Sequence, residues 1–189
     1  MAVKEGTKIR ALREATGLLQ TFGFNGFSFQ HVADLLGIRK PSLYDHFASK
    51  EELGEEMVKD YHQRFLRWAE SVQEREPRER IQALFDLFRD FSSDSGKLCP
   101  MSAMIADYHS VSKNTRKLLR KMFSSQEAWV VECVAEGQKK KIFRRDLPAR
   151  ELAQAVMSAG LGAQLIARVT EDAEALPRAR EQILRNLED

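Results

Sequence analysis

A short stretch between residues 39 and 50 carries side chains suited to binding nucleic acid. Ammonium, phenol and imidazole groups can contact phosphates there, and an arginine can pair with guanine in a major groove. Just upstream, a Gln can pair with adenine, and a Ser that caps a helix leaves backbone amides for a phosphate. The pattern predicts phosphate contacts from Ser28, Lys40, Tyr44, His46 and Lys50, and base contacts from Gln30, Arg39 and Ser42.

Two short helices must present these side chains. Ser28 is a good amino-terminal cap for a helix that ends at Gly37, where a left-handed residue can stop it. The next helix begins at Pro41 and places Leu43 and Phe47 on one inner face, four residues apart. Residues 49–52, Ser-Lys-Glu-Glu, form a capping box that starts a further helix. Two short helices joined by a glycine-containing turn make a helix-turn-helix, whose second helix has the width to enter a major groove.

The span from Ile9 to Met57 resembles the amino-terminal domain of TetR-family transcriptional regulators. The resemblance implies a homodimer whose two recognition helices meet successive major grooves of a pseudo-palindromic operator, usually as a repressor. Asn25 and the pair Gln30-His31 depart from the common family pattern, so the operator sequence stays open. The residues that carry the resemblance are Phe22-Gly23-Phe24, Phe27–Ile38, Lys40–Phe47 and Ser49–Leu53, above all Leu-Tyr-x-His-Phe followed by Ser-Lys-Glu.

Apolar residues recur at three- and four-residue steps almost throughout the chain, which is typical of helices. Prolines and glycines divide the pattern, and Gly137 is among the glycines expected to end a helix. The sequence therefore predicts an all-α fold, with a helix-turn-helix DNA-binding head at 1–50 on a larger helical bundle at 51–189. The family resemblance implies that this bundle binds the ligand and forms the dimer. The predicted helices cover about 4–22, 28–36, 41–47, 50–75, 78–92, 100–110, 113–137, 148–169 and 173–187.

Composition and charge agree with a folded protein of this kind. The chain has 189 residues, 43% hydrophobic and 31% charged, which argues against a disordered or fibrous protein. Residues 1–50 carry 7 basic and 4 acidic groups (7 − 4 = +3), and residues 51–95 carry 7 and 12 (7 − 12 = −5). A positive head before a negative segment suits a nucleic-acid-binding head, although surface charge of no function gives the same pattern.

Cysteine and histidine usage indicates a reducing compartment and no metal. Two cysteines, Cys99 and Cys133, cannot form a disulfide framework, and His62 and His109 have no second ligand at a convincing spacing. The start of the chain is charged too early for a secretory signal, and the apolar run 153–167 is short and polar for a membrane span. We expect a cytoplasmic protein with no cofactor, no metal and no membrane partner.

In the family, the carboxyl-terminal bundle binds a small molecule between its helices, and the resemblance implies the same here. Aromatic and methionine residues at helical spacing could line such an apolar pocket, but the same spacing is typical of ordinary core packing. The predicted pocket residues are Phe65, Trp68, Phe88, Met101, Met104, Tyr108, Phe123 and Trp129.

The last two predicted helices are assigned to a dimer interface. A strip of small residues in the helix from 148 would let a partner helix approach closely, and bulky apolar residues on the last helix would pack there. The resemblance implies a four-helix interface, two helices from each protomer, while the sequence equally allows an intramolecular helix pair. The strip comprises Ala155, Ala159, Gly160, Gly162 and Ala163, and the bulky residues are Ile183, Leu184 and Leu187.

Cys99 precedes Pro100, which suits the first turn of a helix, so the thiol would lie at a positive helix end with Lys97 nearby. Both effects lower a thiol pKa. The segment also resembles the branch of TetR regulators in which a cysteine at the start of the sixth helix senses electrophiles or oxidants. Cys99 is therefore either a sensor thiol or a small buried residue, whereas Cys133 shares the apolar face of Trp129 and is predicted to be core.

Two other classes of function have weaker support. An enzyme would need a nucleophile beside a base, and the sequence offers only Cys99 with His109 ten residues later. A protein-interaction module without DNA binding is opposed by the intact set of predicted phosphate contacts. The basic run 139–141 is predicted to be a solvated turn rather than a second DNA contact.

Overall fold

A computed structural model of the protein describes residues 6–92 and 96–188. Within these residues every regular element is an α-helix, so the predicted all-α fold is confirmed. The helices are α1 (Thr7–Phe22), α2 (Phe29–Leu36), α3 (Pro41–Tyr44), α4 (Lys50–Ser71), α5 (Pro77–Ser92), α6 (Pro100–Ala106), α7 (Lys113–Lys139), α8 (Ala149–Thr170) and α9 (Ala175–Glu188).

Local signals place most helix ends where the sequence predicts them. The Ser28 hydroxyl accepts a hydrogen bond from the His31 N–H at the start of α2. Gly37 ends α2 in the left-handed conformation with φ of 65°. Pro41 and Pro100 are the first residues of α3 and α6, positions at which the missing proline N–H costs no helical hydrogen bond.

Four predicted helix ends are wrong, and one of them is that of α4, which ends at Ser71 rather than near residue 75. The recognition helix α3 ends at Tyr44 rather than at Phe47, because the N–H groups of His46 and Phe47 both bond to the Leu43 carbonyl and tighten the chain into a turn. Helix α6 likewise ends at Ala106, before the expected residue 110.

Gly137 does not end a helix, contrary to the prediction, because α7 continues to Lys139. The glycine is buried, and a Cβ there would overlap the ring of Phe143, which packs directly on the helix backbone. Its role is therefore a close approach between a ring and a helix, which tertiary packing sets and local helix propensity does not show.

Packing groups the helices into two compact units. The first contains residues up to Gln63 together with Pro100–Arg120, and in it α1 packs against α2 and α6. The second contains Arg64–Cys99 and residues from Lys121 onward, and in it α5, α8 and α9 pack against one another. Helix α4 begins at Lys50 and runs unbroken to Ser71. The predicted functional boundary near residue 50 therefore coincides with the start of a helix and stays a prediction.

Helix α8 is the one helix in the described parts of the chain that is long and apolar enough to cross a membrane. The core helix of a soluble protein passes the same test of length and composition. Its inner side is buried against α5 and α9, so we treat it as a core helix.

Candidate DNA-binding surface

The helix-turn-helix is built on a small apolar core within the first unit. Val32 of α2, Leu43 of α3 and Phe47 after α3 are each at most 1% exposed. The predicted inward face of α3 is thereby confirmed, and Tyr44 and Asp45, which lie between Leu43 and Phe47 in the chain, are exposed.

The eight predicted DNA-contacting residues differ in exposure. Gln30, Arg39, Lys40 and Tyr44 are exposed, whereas the other four are half-buried. Their contacts with DNA stay predictions. The half-buried residues are Ser28, Ser42, His46 and Lys50.

Two of the exposed side chains already have partners in the protein. The Tyr44 ring packs against the Phe29 ring, with centroids 5.2 Å apart, which holds the ring on the surface of α3. The Gln30 amide donates to the Asp34 carboxylate at 2.7 Å within α2, so pairing with adenine would require this hydrogen bond to be exchanged.

Lys50 occupies a different environment from the one its sequence position suggests. Its ammonium lies 4.6 Å from the ring centroids of both Phe24 and Phe27, in the range of a cation–π contact. Burial lowers the pKa of Lys50, while the charges of Glu51 and Asp107 act to raise it. The two rings therefore hold the ammonium in place in the free protein.

Ser49 and Glu52 cap the start of α4 as predicted, except that the Glu52 carboxylate bonds to the N–H of Ala48 and not to that of Ser49. The Ser49 hydroxyl accepts from the Glu52 N–H at 3.2 Å, and the Glu52 carboxylate accepts in return from the Ala48 N–H at 2.6 Å. The reciprocal contacts fix the turn between the recognition helix and α4, and therefore the position from which Lys50 extends.

Sequence reasoning missed the part of this surface that comes from α6 and the loop after it. The Asp107 carboxylate accepts hydrogen bonds from the turn between α1 and α2, at Phe24 and Asn25. The two segments are more than 80 residues apart in the chain. No local pattern pairs them, and Asn25 stands out in the sequence only as a departure from the family pattern.

Three of the predicted pocket residues form an aromatic cluster in the second unit. The ring centroids of Phe65, Trp68 and Trp129 lie between 5.2 and 6.2 Å from one another. Trp129 is 8% exposed, and its indole N–H is buried without a hydrogen-bond partner. A buried donor of this kind is costly unless something accepts from it.

The other five predicted pocket residues divide between the two units. In the second unit Phe88 is buried and Phe123 is half-buried. In the first unit Met101 and Met104 are buried, and Tyr108 accepts a hydrogen bond at its hydroxyl from Arg120. Their role as a ligand pocket stays a prediction.

Both cysteines are completely buried. The backbone N–H of Cys99 donates to the Gln164 side-chain oxygen at 2.9 Å, at the point where α6 begins. Cys133 donates its S–H to the Pro77 carbonyl at 3.3 Å, and burial raises the pKa of this thiol to about 12. The prediction that Cys133 is core is confirmed, and the sensor role of Cys99 stays a prediction.

The small-residue strip of α8 faces two ways. Gly160 and Ala163 are buried, and a Cβ on Gly160 would lie 2.6 Å from the Phe88 ring, so Gly160 serves a contact within the protomer and not a dimer interface. The bulky residues of α9 are buried within the protomer as well. Gly162, with Ala159, Ser158 and Ile166, lines a surface groove of about 510 Å³ between α8 and α9.

Comparisons with known proteins agree with this architecture. Residues 11–57 match the model of bacterial regulatory proteins of the TetR family, and residues 77–183, more than half of the chain, match the tetracyclin repressor-like C-terminal domain. The HTH-type transcriptional repressor DhaR of Mycobacterium sp. (strain GP1) is 27% identical over 160 residues, which are 82% of this chain and 78% of that protein.

Solved structures share the fold over nearly the whole chain. A TetR-family regulator from Agrobacterium tumefaciens superposes with a TM-score of 0.91 at 22% identity, covering 97% of this chain and 98% of that one. The reduced form of NemR from E. coli gives a TM-score of 0.81 at 21% identity, covering 96% and 97%. The chain therefore belongs to the TetR family of transcriptional regulators, which are DNA-binding transcription factors and not enzymes.

Proposed function

We propose that the protein is a repressor that binds a pseudo-palindromic operator as a homodimer and is released by a small apolar or thiol-reactive inducer. The observation that carries the proposal is the helix-turn-helix itself. Leu43 and Phe47 are buried beneath α3, while Arg39, Lys40 and Tyr44 are exposed around it. A short helix with this division can enter a major groove without loss of its own core.

Repression and operator binding are supported by family membership and by the similarity to a named repressor. Fluorescence anisotropy on a labelled duplex from the DNA upstream of the gene tests the proposal. We expect tight binding that weakens steeply with salt, because neutralised phosphates release counterions. Binding that is equally weak on this duplex, on random DNA and on sites selected from a random library would contradict it.

The homodimer is proposed to form through α8 and α9. Leu165, Ile166 and Val169 of α8 are 55%, 55% and 80% exposed. A group of exposed apolar side chains on one helix is typical of a protein–protein interface. The groove beside Gly162 continues this surface. Analytical ultracentrifugation of Ile166→Glu should give a monomer, and Leu147→Glu, at an exposed leucine outside this surface, should stay dimeric.

The inducer is proposed to bind at the aromatic cluster of Phe65, Trp68 and Trp129. The unpartnered indole N–H favours a flat, uncharged compound that carries a hydrogen-bond acceptor, since such a ligand would satisfy the buried donor. The dye 1-anilinonaphthalene-8-sulfonate serves as a probe of apolar sites. Trp68→Ala should bind less of the dye than the wild type. Neutral aromatic ketones should displace the dye from the wild type, and they should displace it less well from Trp129→Phe, which lacks the indole N–H.

A covalent route through Cys99 is the alternative form of induction. The side chain has no exposed surface, so a reagent reaches it only when the surrounding chain opens. A mild electrophile should release the wild-type protein from DNA and leave Cys99→Ser bound. Release that persists in Cys99→Ser would assign the effect to another group, with Cys133→Ser as the matched control.

The proposed location is the cytoplasm, where the operator DNA lies. Two cysteines outside any disulfide suit a reducing compartment. Fractionation of cells that express the tagged protein should recover it with the soluble and nucleoid fractions rather than with membranes.

A further inference from the structure

The turn between α1 and α2 is built around the carboxylate of Asp107, which lies just after α6. One oxygen of Asp107, Oδ2, accepts from the backbone N–H of Phe24 at 2.6 Å and of Asn25 at 3.3 Å. The other oxygen, Oδ1, accepts from the side-chain amide of Asn25 at 2.8 Å. Successive backbone N–H groups directed at one anion form a concave anion site, and here the anion is part of the protein.

The turn has the residues that this arrangement requires. Gly23 has φ of 77°, and a Cβ on it would lie 2.9 Å from the Asp107 carboxylate, so a larger residue would displace the acceptor. The Asn25 amide also donates to the Ser110 hydroxyl at 2.8 Å, and that hydroxyl donates to the Asp107 carbonyl. Both ends of the contact are thus held by further hydrogen bonds.

The same loop after α6 contacts the other side of the helix-turn-helix. The Glu55 carboxylate in α4 accepts from the Ser112 hydroxyl at 3.2 Å and from the Asn114 amide. Residues 107–114 therefore hold the turn that leads into α2 and also the helix that follows α3. The recognition helix lies between these two fixed points in the chain.

The turn also supports a predicted phosphate contact. Phe24, whose N–H bonds to Asp107, is 4% exposed, and its ring forms half of the aromatic platform under the Lys50 ammonium. A turn that moves carries this platform with it. Since Lys50 is expected to meet a phosphate, its starting position depends on where the turn is held.

We propose that Asp107 is a positioning residue for operator binding: by holding the α1–α2 turn through Phe24 and Asn25, it sets the orientation of α2 and of Lys50 before DNA arrives. The inference rests on the proposed operator binding. Asp107 lies after α6 and outside the helix-turn-helix, so it acts through the turn. Order fixed in the free protein lowers the conformational entropy lost on binding, and loss of that order weakens affinity.

A charge-exchange experiment tests the assignment. Asp107→Asn removes the charge from the acceptor, and Asn25→Asp places two carboxylates together. Each should lower operator affinity about tenfold in anisotropy titrations, the effect of about one charge-assisted hydrogen bond. The double variant, in which the amide and the carboxylate exchange places, should recover most of the affinity. Glu132→Ala, at an exposed acidic residue of α7, is the control for a change in net charge and should bind like the wild type.

The outcomes separate this inference from the proposed function. If the wild-type protein binds no duplex specifically, operator binding itself fails. If the wild type binds while Asp107→Asn and Asn25→Asp bind with unchanged affinity and only melt at lower temperature, Asp107 is structural and the inference is wrong. The milder Ser110→Ala decides the case if those variants do not fold: we expect an affinity loss of about threefold, and unchanged affinity would overturn the inference.

Discussion

Lys40 offers a direct measure of whether α3 faces the phosphates as proposed. The side chain is exposed at the start of α3, and it forms no ion pair with the residues that the structure describes. Its replacement by alanine therefore removes little except what DNA would contact. In a dimer two such contacts are lost, which reduces the slope of log affinity against log salt concentration by about 1.8.

The size of the effect follows from that slope. Between about 50 and about 200 mM salt, the ratio of wild-type to Lys40→Ala affinity should fall about twelvefold. The assay is anisotropy on operator and random duplexes at four or more salt concentrations. Lys139→Ala, at an exposed lysine that ends α7, is the matched control and should keep the wild-type slope. Parallel salt plots for Lys40→Ala and the wild type would refute the placement of α3 against the DNA backbone.

Three further predictions concern stability. Gly160→Ala should lower the free energy of unfolding in urea by about 2 kcal/mol, because the added Cβ meets the Phe88 ring; an unchanged midpoint would contradict the close packing. Arg80→Met should lower the free energy of unfolding by about 1 to 2 kcal/mol in the same assay, because it removes the hydrogen bond from the buried Arg80 to the Glu136 carboxylate, which keeps only its Lys140 partner; an unchanged midpoint would contradict the pairing. Hydrogen bonds from Lys140 and Arg80 hold the pKa of Glu136 below its usual 4.5 in the folded protein. The Glu136 carboxylate therefore adds to the free energy of unfolding above about pH 4.5, and this contribution is lost as the pH falls through the lower pKa of the folded state. Urea unfolding at about pH 3 and about pH 6 should therefore show a smaller difference between the wild type and Glu136→Gln at the lower pH, and a constant difference would count against the pairing.

The helices were largely predictable because their ends depend on nearby residues. Ser28 caps α2 through a hydrogen bond three residues away, Gly37 ends it in a left-handed conformation, and Pro41 begins α3. Each of these effects acts over one turn of chain. A single sequence contains that information in full, and the predicted family was confirmed on the same stretch.

The error at Gly137 and two features that the sequence does not show arise where distant residues determine the outcome. Gly137 has the local signature of a helix stop, yet Phe143 packs over it and α7 continues. Lys50 stays a predicted phosphate contact, but its position in the sequence does not show that its ammonium lies above two phenylalanine rings. The contact of Asn25 with Asp107 joins segments 82 residues apart, and no periodicity or capping rule relates them.

Because both cysteines are buried, the rate at which a reagent modifies either thiol depends on how often the protein opens around it. Neither side chain has exposed surface, so labelling of each proceeds at a rate set by how often its own surroundings open. At Cys133 the thiol also stays protonated in the closed state, with a pKa of about 12. The labelling rates at Cys99 and Cys133 therefore report local opening separately at two places in the fold. An electrophile signal through Cys99 would be gated by that opening, and the speed of the response would depend on the stability of the packing around Gln164 as much as on the reagent.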